Sequence, residues 1–457
     1  MRGGAGRALG PAFAALALAA CAWAAGCGSA LAQDAAEASR ALPDPLTLAD
    51  ALKVAAQTDH PDLASARADV TAADAQAMAA DAGTGINASV EARGLWVEPS
   101  AVAPDQSSND SQAALLVTKK LYDFGRTDAL RSAAEAGVRG SRLRYTDARN
   151  RHRIAVLTRF FNVLLADLDY QVQNEAMAVR YVNFDRIRDR NKLGQVSDVD
   201  LLKAENAYQR TRSLRYAAQS RQRTTRVKLA EVLGRPGMLP DNLTRPKLPG
   251  NERTLPELEQ LNRQALAGNP VIRALRARLK QAREQLVAAR AGRRPVLSAE
   301  AEAATYHRDF GSRDPFRAGL ILTVPLYSGG AVAAQVKKAQ AELDKATARL
   351  GQQRIAVRQA VADAWARIQS LKAQRQENKV LTEYRDLYLD RSRALYELEV
   401  RADLGDSMVR YSEARLHNAR TEFHMALAWA RLAALTADPA YNPWLAPQSK
   451  KAKESQQ

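Results

Sequence analysis

The chain has 457 residues, 46% of them hydrophobic and only 6% aromatic, with a formal net charge of +17. Alanine, the best helix former, makes up roughly a fifth of it, a composition that fits long helices better than a compact enzyme core. The length suggests two or three domains, and with only Cys21 and Cys27, both near the N-terminus, a disulfide framework is excluded.

Residues 1–32 read as a secretory signal. Arg2 and Arg7 form a positive n-region, Pro11 to Ala25 an apolar run, and Ala30-Leu31-Ala32 a small-x-small cleavage site. A lipoprotein signal competes with that reading. Leu18-Ala19-Ala20-Cys21 has the Leu-small-small-Cys form, Ala24-Ala25-Gly26-Cys27 is a weaker version, and either Cys21 or Cys27 could carry lipid. Both readings export the chain, which argues against nucleic acid as a partner in spite of the charge. Beyond residue 33 no run of about 20 apolar residues offers a transmembrane helix.

A helical stretch follows, from Leu48 to about Asp81. Ile86, Ala88, Val90, Ala92 and Trp96 then alternate with Asn87, Ser89, Glu91 and Arg93, the period of a strand. A partner strand is expected over 112–122, interrupted in its pattern by Lys119. Next comes a very long helix, about 126–192, in which Ile154, Leu157, Phe161, Leu164 and Leu168 make a coiled-coil seam. The chain turns back near Gly194, and a return helix runs over about 198–233.

The same order then recurs. Leu121-Tyr122-Asp123-Phe124-Gly125-Arg126 reappears 205 positions later as Leu326-Tyr327-Ser328-Gly329-Gly330-Ala331. His60-Pro61 is echoed by Asn269-Pro270, and the segment from Gly194 to Asp200 by that from Val400 to Asp406. The chain is therefore a tandem duplication, 45–235 and 257–437, joined by a Pro- and Gly-rich connector over 236–256 and followed by a tail, 438–457. The second half supplies a helix from Leu255 to about Ala291, a strand marked by Leu297, Ala299, Ala301 and Ala303, and a strand over 316–327. Its second long seam comprises Val357, Val361, Ala364, Ile368 and Leu371. A helix over 126–192 would be about 100 Å long, against about 54 Å for 198–233 and about 51 Å for 48–81. The two short helices stacked end to end match the long one, giving a rod with strands at one end and hairpin tips at the other.

Four strands cannot close a barrel, so their apolar face must meet a helix, another sheet or lipid. Each segment has about the length of a membrane-spanning strand. Trp96, Tyr306, Phe310 and Phe316 near one end, with Tyr122 and Tyr327 near the other, fit two aromatic girdles. A β-sandwich lid packed on its own helices is the alternative. In the membrane, two chains would pool eight strands and three chains twelve, and a conducting barrel needs three or more.

The repeated Leu-Tyr-Asp-Phe-Gly-Arg and Pro-Leu-Tyr-Ser-Gly-Gly motifs resemble those of the TolC-like outer-membrane factors. Leu-Gly-Gln-Val-Ser-Asp-Val-Asp and Arg-Ala-Asp-Leu-Gly-Asp do so too, and the likeness covers about 45–437. The resemblance implies a mainly α fold with a small β part: long antiparallel coiled-coil hairpins plus four transmembrane β-strands per protomer. It further implies a homotrimer with a 12-strand β-barrel in the outer membrane of a Gram-negative bacterium and an α-barrel in the periplasm. Its partners would be a periplasmic adaptor (membrane fusion protein) and an inner-membrane transporter, for efflux or type I protein secretion. The second tip departs from the pattern, with Glu399-Val400 where a glycine is usual, which leaves its turn shape open.

A passive duct needs no catalytic group or cofactor, and no metalloprotease, nucleophile-elbow or phosphate-loop motif is present. His417 and His424 could share a helix face, but a metal site needs more ligands. The tips are the natural gate and docking points. Asp200 and Asp406 are equivalent by the repeat, and the family places acidic residues in this region, so three copies of each would form an acidic ring. Their local alternative is to complement the dipole of the return helix, worth about 0.3–1 kcal/mol each, which suits Asp198 and Asp403 better. Adaptor docking is expected at Lys192, Leu193, Gly194, Gln195, Val196 and Ser197, with Arg401 and Ala402 at the second tip. An exported coiled-coil scaffold that never enters the membrane is the alternative from another class.

Overall fold

The structure, a computed structural model, describes residues 42–441 apart from 59, 239–241, 309–312 and 401–402. Cys21, Cys27, Phe310, Arg401 and Ala402 therefore lie outside the described residues. The first half runs α1 (Leu48–Gln57), α2 (Pro61–Ala82), β1 (Ile86–Arg93), β2 (Gln112–Tyr122), α3 (Arg126–Lys192) and α4 (Asp198–Val232). A 3-10 turn, Pro249–Glu252, leads into the second half. There α5 (Leu258–Gly268), α6 (Pro270–Arg290), β3 (Val296–Tyr306), β4 (Phe316–Thr323), α7 (Ala331–Glu397) and α8 (Leu404–Thr436) repeat the order element for element.

The single helix expected over 48–81 is two helices, and so is the one expected over 255–291. Proline disfavours the α conformation in the residue before it, and His60 and Asn269 accordingly have ψ of 138° and 124°. Both residues then cap the new helix. His60 Nδ1 accepts from the Asp62 N–H at 3.3 Å, and Asn269 Oδ1 from those of Val271 and Ile272 at 3.0 and 3.2 Å.

The long helices α3 and α7 contain 67 residues each, about 100 Å of rise. Each begins after two consecutive left-handed residues that redirect the chain from strand to helix: Phe124 and Gly125 at φ 54° and 88°, Gly329 and Gly330 at 58° and 83°. Glycine takes this conformation freely, whereas Phe124 does so at a cost of about 1–2 kcal/mol. Buried Asp123 fixes the first of these turns by accepting from the Thr127 N–H at 3.0 Å.

Most of both seams is buried, with Ile154, Leu168 and Ala364 half-buried at their margins, and each seam belongs to a separate core at mid-height. One gathers Leu48 and Leu52 of α1, Leu157, Phe160 and Phe161 of α3, Leu229 of α4 and Phe423 of α8. The other gathers Leu261 of α5, Ile272 of α6, Val357, Val361 and Ile368 of α7, and Met425 and Trp429 of α8. Helix α8 is their common wall, with Phe423 stacked on Phe161 at 4.6 Å between ring centroids. The connector is locked to the same level, where Arg375 pairs with Glu422 at 2.5 Å and Glu252 at 3.2 Å and Asn251 donates to the Glu422 carbonyl at 2.9 Å.

His152 on α3 is buried against the break between α1 and α2, its ring 4.6 Å from that of His60. Burial first, then the His60 charge, hold its pKa below the ordinary value, against the opposing pull of Asp62 and an Ala55 backbone hydrogen bond. The folded chain thus takes up this proton less readily than the unfolded one. The stability is intact above the unfolded value of about 6.5 and declines as pH falls below it. Melting at pH 7.5 and 5.5 should show that decline, and His152→Gln should reduce it; an undiminished decline in the variant would exclude His152 as its source.

Candidate functional site

At one end stands a four-stranded antiparallel sheet in the order β1-β2-β3-β4. Its register is what sorts the side chains. Ile86, Lys119, Ala299 and Leu320 align across the strands, as do Ala88, Val117, Ala301 and Ala318, and Val90, Leu115, Ala303 and Phe316. These rows share one face, and Lys119 is its charged exception near the sheet base. The opposite face carries Ser89, Glu91, Arg93, Glu300, Glu302 and Arg317, with Glu91 paired to Arg93 at 2.6 Å and the Arg317 Nε donating to Glu302 at 2.9 Å. Every residue of β1 and β4 is exposed, and Val90 and Leu320 remain 74% and 69% accessible. No helix of the described residues is long and apolar enough to cross a membrane.

The register also revises the aromatic girdles. Phe316 lies on the apolar face, opposite Ala303. A bulge between Lys120 and Tyr122 pairs Tyr122 with Leu297 and so moves it onto that face. Tyr306, paired with Gln112, falls on the polar face instead, with the Arg313 guanidinium 5.1 Å from its ring centre. Trp96 lies beyond β1, in an isolated bridge to Asn109, because the strand stops before Gly94. Strand β4 ends at Thr323 rather than 327, since Pro325 cannot donate to a ladder, and Tyr327 stands outside it, 89% exposed. Above the sheet, the two connecting loops are joined by Arg313 and Asp110 at 2.7 Å, and this hydrogen bond, chiefly, holds the Asp110 carboxyl below its usual range.

At the other end are the hairpin tips. Gly194, at φ 69°, closes α3: its own N–H reaches the Asn191 carbonyl and the Gln195 N–H reaches that of Arg190, at 2.8 and 2.9 Å. Lys192 pairs with Asp189 at 2.9 Å and by that hydrogen bond keeps the Asp189 carboxyl below its ordinary range. Leu193 is 72% exposed, and the Val196 carbonyl accepts from Asn191 at 3.0 Å. Ser197 caps α4, accepting from the Asp200 N–H at 3.2 Å and donating to its carboxylate at 2.7 Å.

The second tip closes with the same hydrogen-bond pattern despite lacking the glycine. The Glu399 N–H reaches the Tyr396 carbonyl and the Val400 N–H that of Leu395, at 3.1 and 3.0 Å, with Glu399 itself held at φ 56°. Glu399 is therefore the counterpart of Gly194, and Leu398, also 72% exposed, that of Leu193. Asp406 has a different environment from Asp200. It lies 3.6 Å from Arg180 of α3, and the neighbouring Gly405 is so close to Val179 that an added Cβ would meet its methyl at 2.9 Å. Ser392 and Ser407 hydrogen-bond across this hairpin at 2.8 Å. Arg180, Val179 and Gly405 escaped the sequence reading; a glycine inside the first turn of a helix was the available signal of close approach. His417 is exposed and His424 half-buried on α8, and no group of three metal-ligating side chains occurs among the described residues.

Long helical hairpins with a small sheet at one end and bare turns at the other are the architecture of TolC-like channel proteins. The family model for outer membrane efflux proteins matches residues 52–235 and 261–438, and the chain belongs to that family. It is 28% identical over 269 residues to Protein CyaE of Bordetella pertussis, covering 57% of this chain and 56% of that one. It is 26% identical over 192 residues to the outer membrane efflux protein BepC of Brucella suis, covering 41% of each. The chain thus spans about half the length of these curated relatives in the matched stretches. Its fold is similar to that of the CmeC outer membrane channel of Campylobacter jejuni, with a TM-score of 0.70, 15% identity, and coverage of 89% of this chain and 88% of that one.

The open space around Gly194 means that only its backbone conformation is at stake there. Glu399→Gly should raise stability by about 1 kcal/mol and Gly194→Ala should lower it by a similar amount. Thermal melts check both, and a destabilised Glu399→Gly would show that the Glu399 side chain contributes more than its backbone costs.

Proposed function

We propose that the chain is the outer-membrane exit duct of a tripartite efflux system, conducting substrates passively from an inner-membrane pump and a periplasmic adaptor to the exterior. The observation that carries this reading is the sheet, apolar and uncovered on one face and charged on the other, with both edge strands unpaired. An open sheet of that kind exposes unsatisfied backbone and apolar surface together, and closure among copies removes both. Three chains would give a twelve-strand barrel whose apolar face meets lipid, with Trp96, Tyr122, Phe316 and Tyr327 at its rims and Glu91, Glu300 and Glu302 toward the lumen. The two repeats, 45–235 and 257–437, would then contribute two strands and one hairpin each. The connector, 236–256, and the tail after 437 would form the equatorial belt. An exported N-terminus, lipidated at Cys21 or Cys27 or cleaved after Ala32, fits this location.

In this reading the tips close the periplasmic entrance. Arg180 and Asp406, with Gly405 against Val179, hold the returning helix of the second hairpin on the outgoing helix of the first. Adaptor contact at Lys192, Leu193, Gly194, Gln195, Val196 and Ser197, and at Arg401 and Ala402, shifts the population toward splayed hairpins. The matching exposure of Leu193 and Leu398 supports a docking surface that engages both tips. Asp200 and Asp406, in three copies, would ring the constriction with negative charge.

Ion conductance of the purified protein in a planar bilayer tests the channel. Steady conductance by a heat-sensitive trimer is expected, and a soluble species that leaves bilayers silent would favour the scaffold instead. Asp200→Ala with Asp406→Ala should reduce cation selectivity and relieve divalent block; unchanged values of both would remove the acidic ring. Gly405→Val, which forces α8 away from Val179, should raise single-channel conductance above that of the native chain, whereas an unaltered conductance would mean that this contact does not hold the entrance shut.

A further inference from the structure

The positive charge of the chain is not spread evenly between its two halves. Helix α2 carries Asp62, Asp69, Asp74 and Asp81 against Arg67, whereas its counterpart α6 carries Arg273, Arg276, Arg278, Lys280, Arg283 and Arg290 against Glu284. A 3-10 turn, Ala291–Arg293, prolongs α6 to the foot of β3 and adds Arg293, with Arg294 following it. The foot of β3 lies beside that of β2, because these strands pair and α6 packs on α3. The foot of β2 contributes Lys119, Lys120 and Arg126.

The two feet are tied together. Arg294 donates to the Phe124 carbonyl at 2.5 Å, and the missing Cβ of Gly125 would lie 3.9 Å from the same guanidinium nitrogen. Lys120 has Asp123 at 3.9 Å. Among the described residues, however, Lys119, Arg126, Arg290 and Arg293 are exposed and form no ion pair. The other two strand feet are different. Between Gly83 and Gly85 there is no charge, and after β4 the first cation is Lys337, well inside α7. Exposed cations gathered at one level repel one another modestly and attract an anion, most strongly where a low-dielectric surface adjoins them.

We propose that this cluster at the feet of β2 and β3 binds the phosphate of an anionic phospholipid in the periplasmic leaflet. The inference rests on the reading of the sheet as a membrane barrel. The position selects a lipid, since the cluster is continuous with the apolar face. Lys119 stands on that face in the row of Ile86 and Ala299, and a lysine so placed can lay its aliphatic stem along apolar surface while its ammonium reaches a polar rim. Tyr122 is turned onto the same face by the bulge beside it. An acyl chain along the apolar rows would therefore bring its headgroup to the arginines, and a guanidinium offers a phosphate paired N–H donors. The site occurs once per chain, where the feet of β2 and β3 meet, because the feet of β1 and β4 lack this charge.

The test reconstitutes the purified full chain in phosphatidylcholine vesicles containing about one-fifth phosphatidylglycerol, with the retained lipid quantified after mild extraction; each cation near such a surface is worth about fivefold in affinity. The native chain should retain phosphatidylglycerol several-fold above its bulk share, and high salt should reduce that excess. Combining Arg126→Gln, Arg290→Gln and Arg293→Gln should return the ratio to bulk. The corresponding Lys triple, and Lys337→Gln with Lys338→Gln, should keep it. A conducting channel with no enrichment, or one whose enrichment survives in the Gln triple, overturns the headgroup site alone. A chain that enters vesicles of neither composition overturns the site and the barrel together. Thermal protection by inorganic phosphate equal to that by phosphatidylglycerol would mark a free-anion site and overturn the assignment to lipid.

Discussion

Alternate side chains of the sheet, from Ile86 through Val90 and from Phe316 through Leu322, face away from every other described element, because the described helices leave from its base along the rod and do not fold back over it. A sheet so placed is covered by none of the described residues, and the rest of the architecture is arranged to leave it so. Each strand pair must feed a helix that runs directly away from the sheet. This explains the two consecutive left-handed residues at both strand-to-helix turns, one of which is adopted even by Phe124. It also explains why the buried core lies elsewhere, at mid-height, where the short helices α1 and α5 and the connector thicken the rod.

That mid-height core divides the molecule into parts of different rigidity. Above it, α3 packs on its neighbours through small residues: Ala129, Ala133 and Ala136 are buried, and Gly140 lets the Ala274 carbonyl of α6 approach. The alanine-rich composition is thus a packing requirement of close helices as well as a matter of propensity. Below the core burial thins out. Helix α3 has no buried side chain after Val172, and α4 before Leu229 has only Ala204 and Ala218. The second hairpin is better tied, through Leu389, Ser392 and Ser407. Segments with few buried contacts open at low free-energy cost, so a moving element is expected among the tips.

The local periodicities were enough to read much of this. The limits of β2 and α3 follow from sequence because strand alternation, a glycine-marked turn and an uninterrupted helical run are all encoded by near neighbours. The breaks at His60 and Asn269 are equally legible, since the proline that follows each both marks the repeat and interrupts the helix. Contacts distant in sequence were not legible. Alternation within β3 cannot say that Tyr306 shares a face with Glu302 while Tyr122 leaves its own alternation, because that depends on pairing and on a bulge. Repeat symmetry likewise equated Asp200 with Asp406. The first is engaged by Ser197 of its own turn, whereas the second meets Arg180 of the other hairpin, a partner that no local pattern announces.

The two halves preserve geometry while their chemistry diverges, and the places of divergence show what the fold constrains. Both long helices contain 67 residues, and the one extra residue of the second tip lies in its loop, between Glu397 and Leu404, where Lys192 and Asp198 flank the shorter first loop. Helix length is held constant because both ends are fixed, one by the strand ladder and the other by the level of the neighbouring tip. The turn must then form at one height whatever residue is there, which is why Glu399 accepts the conformation that Gly194 takes without strain. Surface charge has no such constraint. An acidic α2 and a basic α6 occupy equivalent positions because only their buried faces are bound by packing, which leaves each outer face free to acquire its own partner.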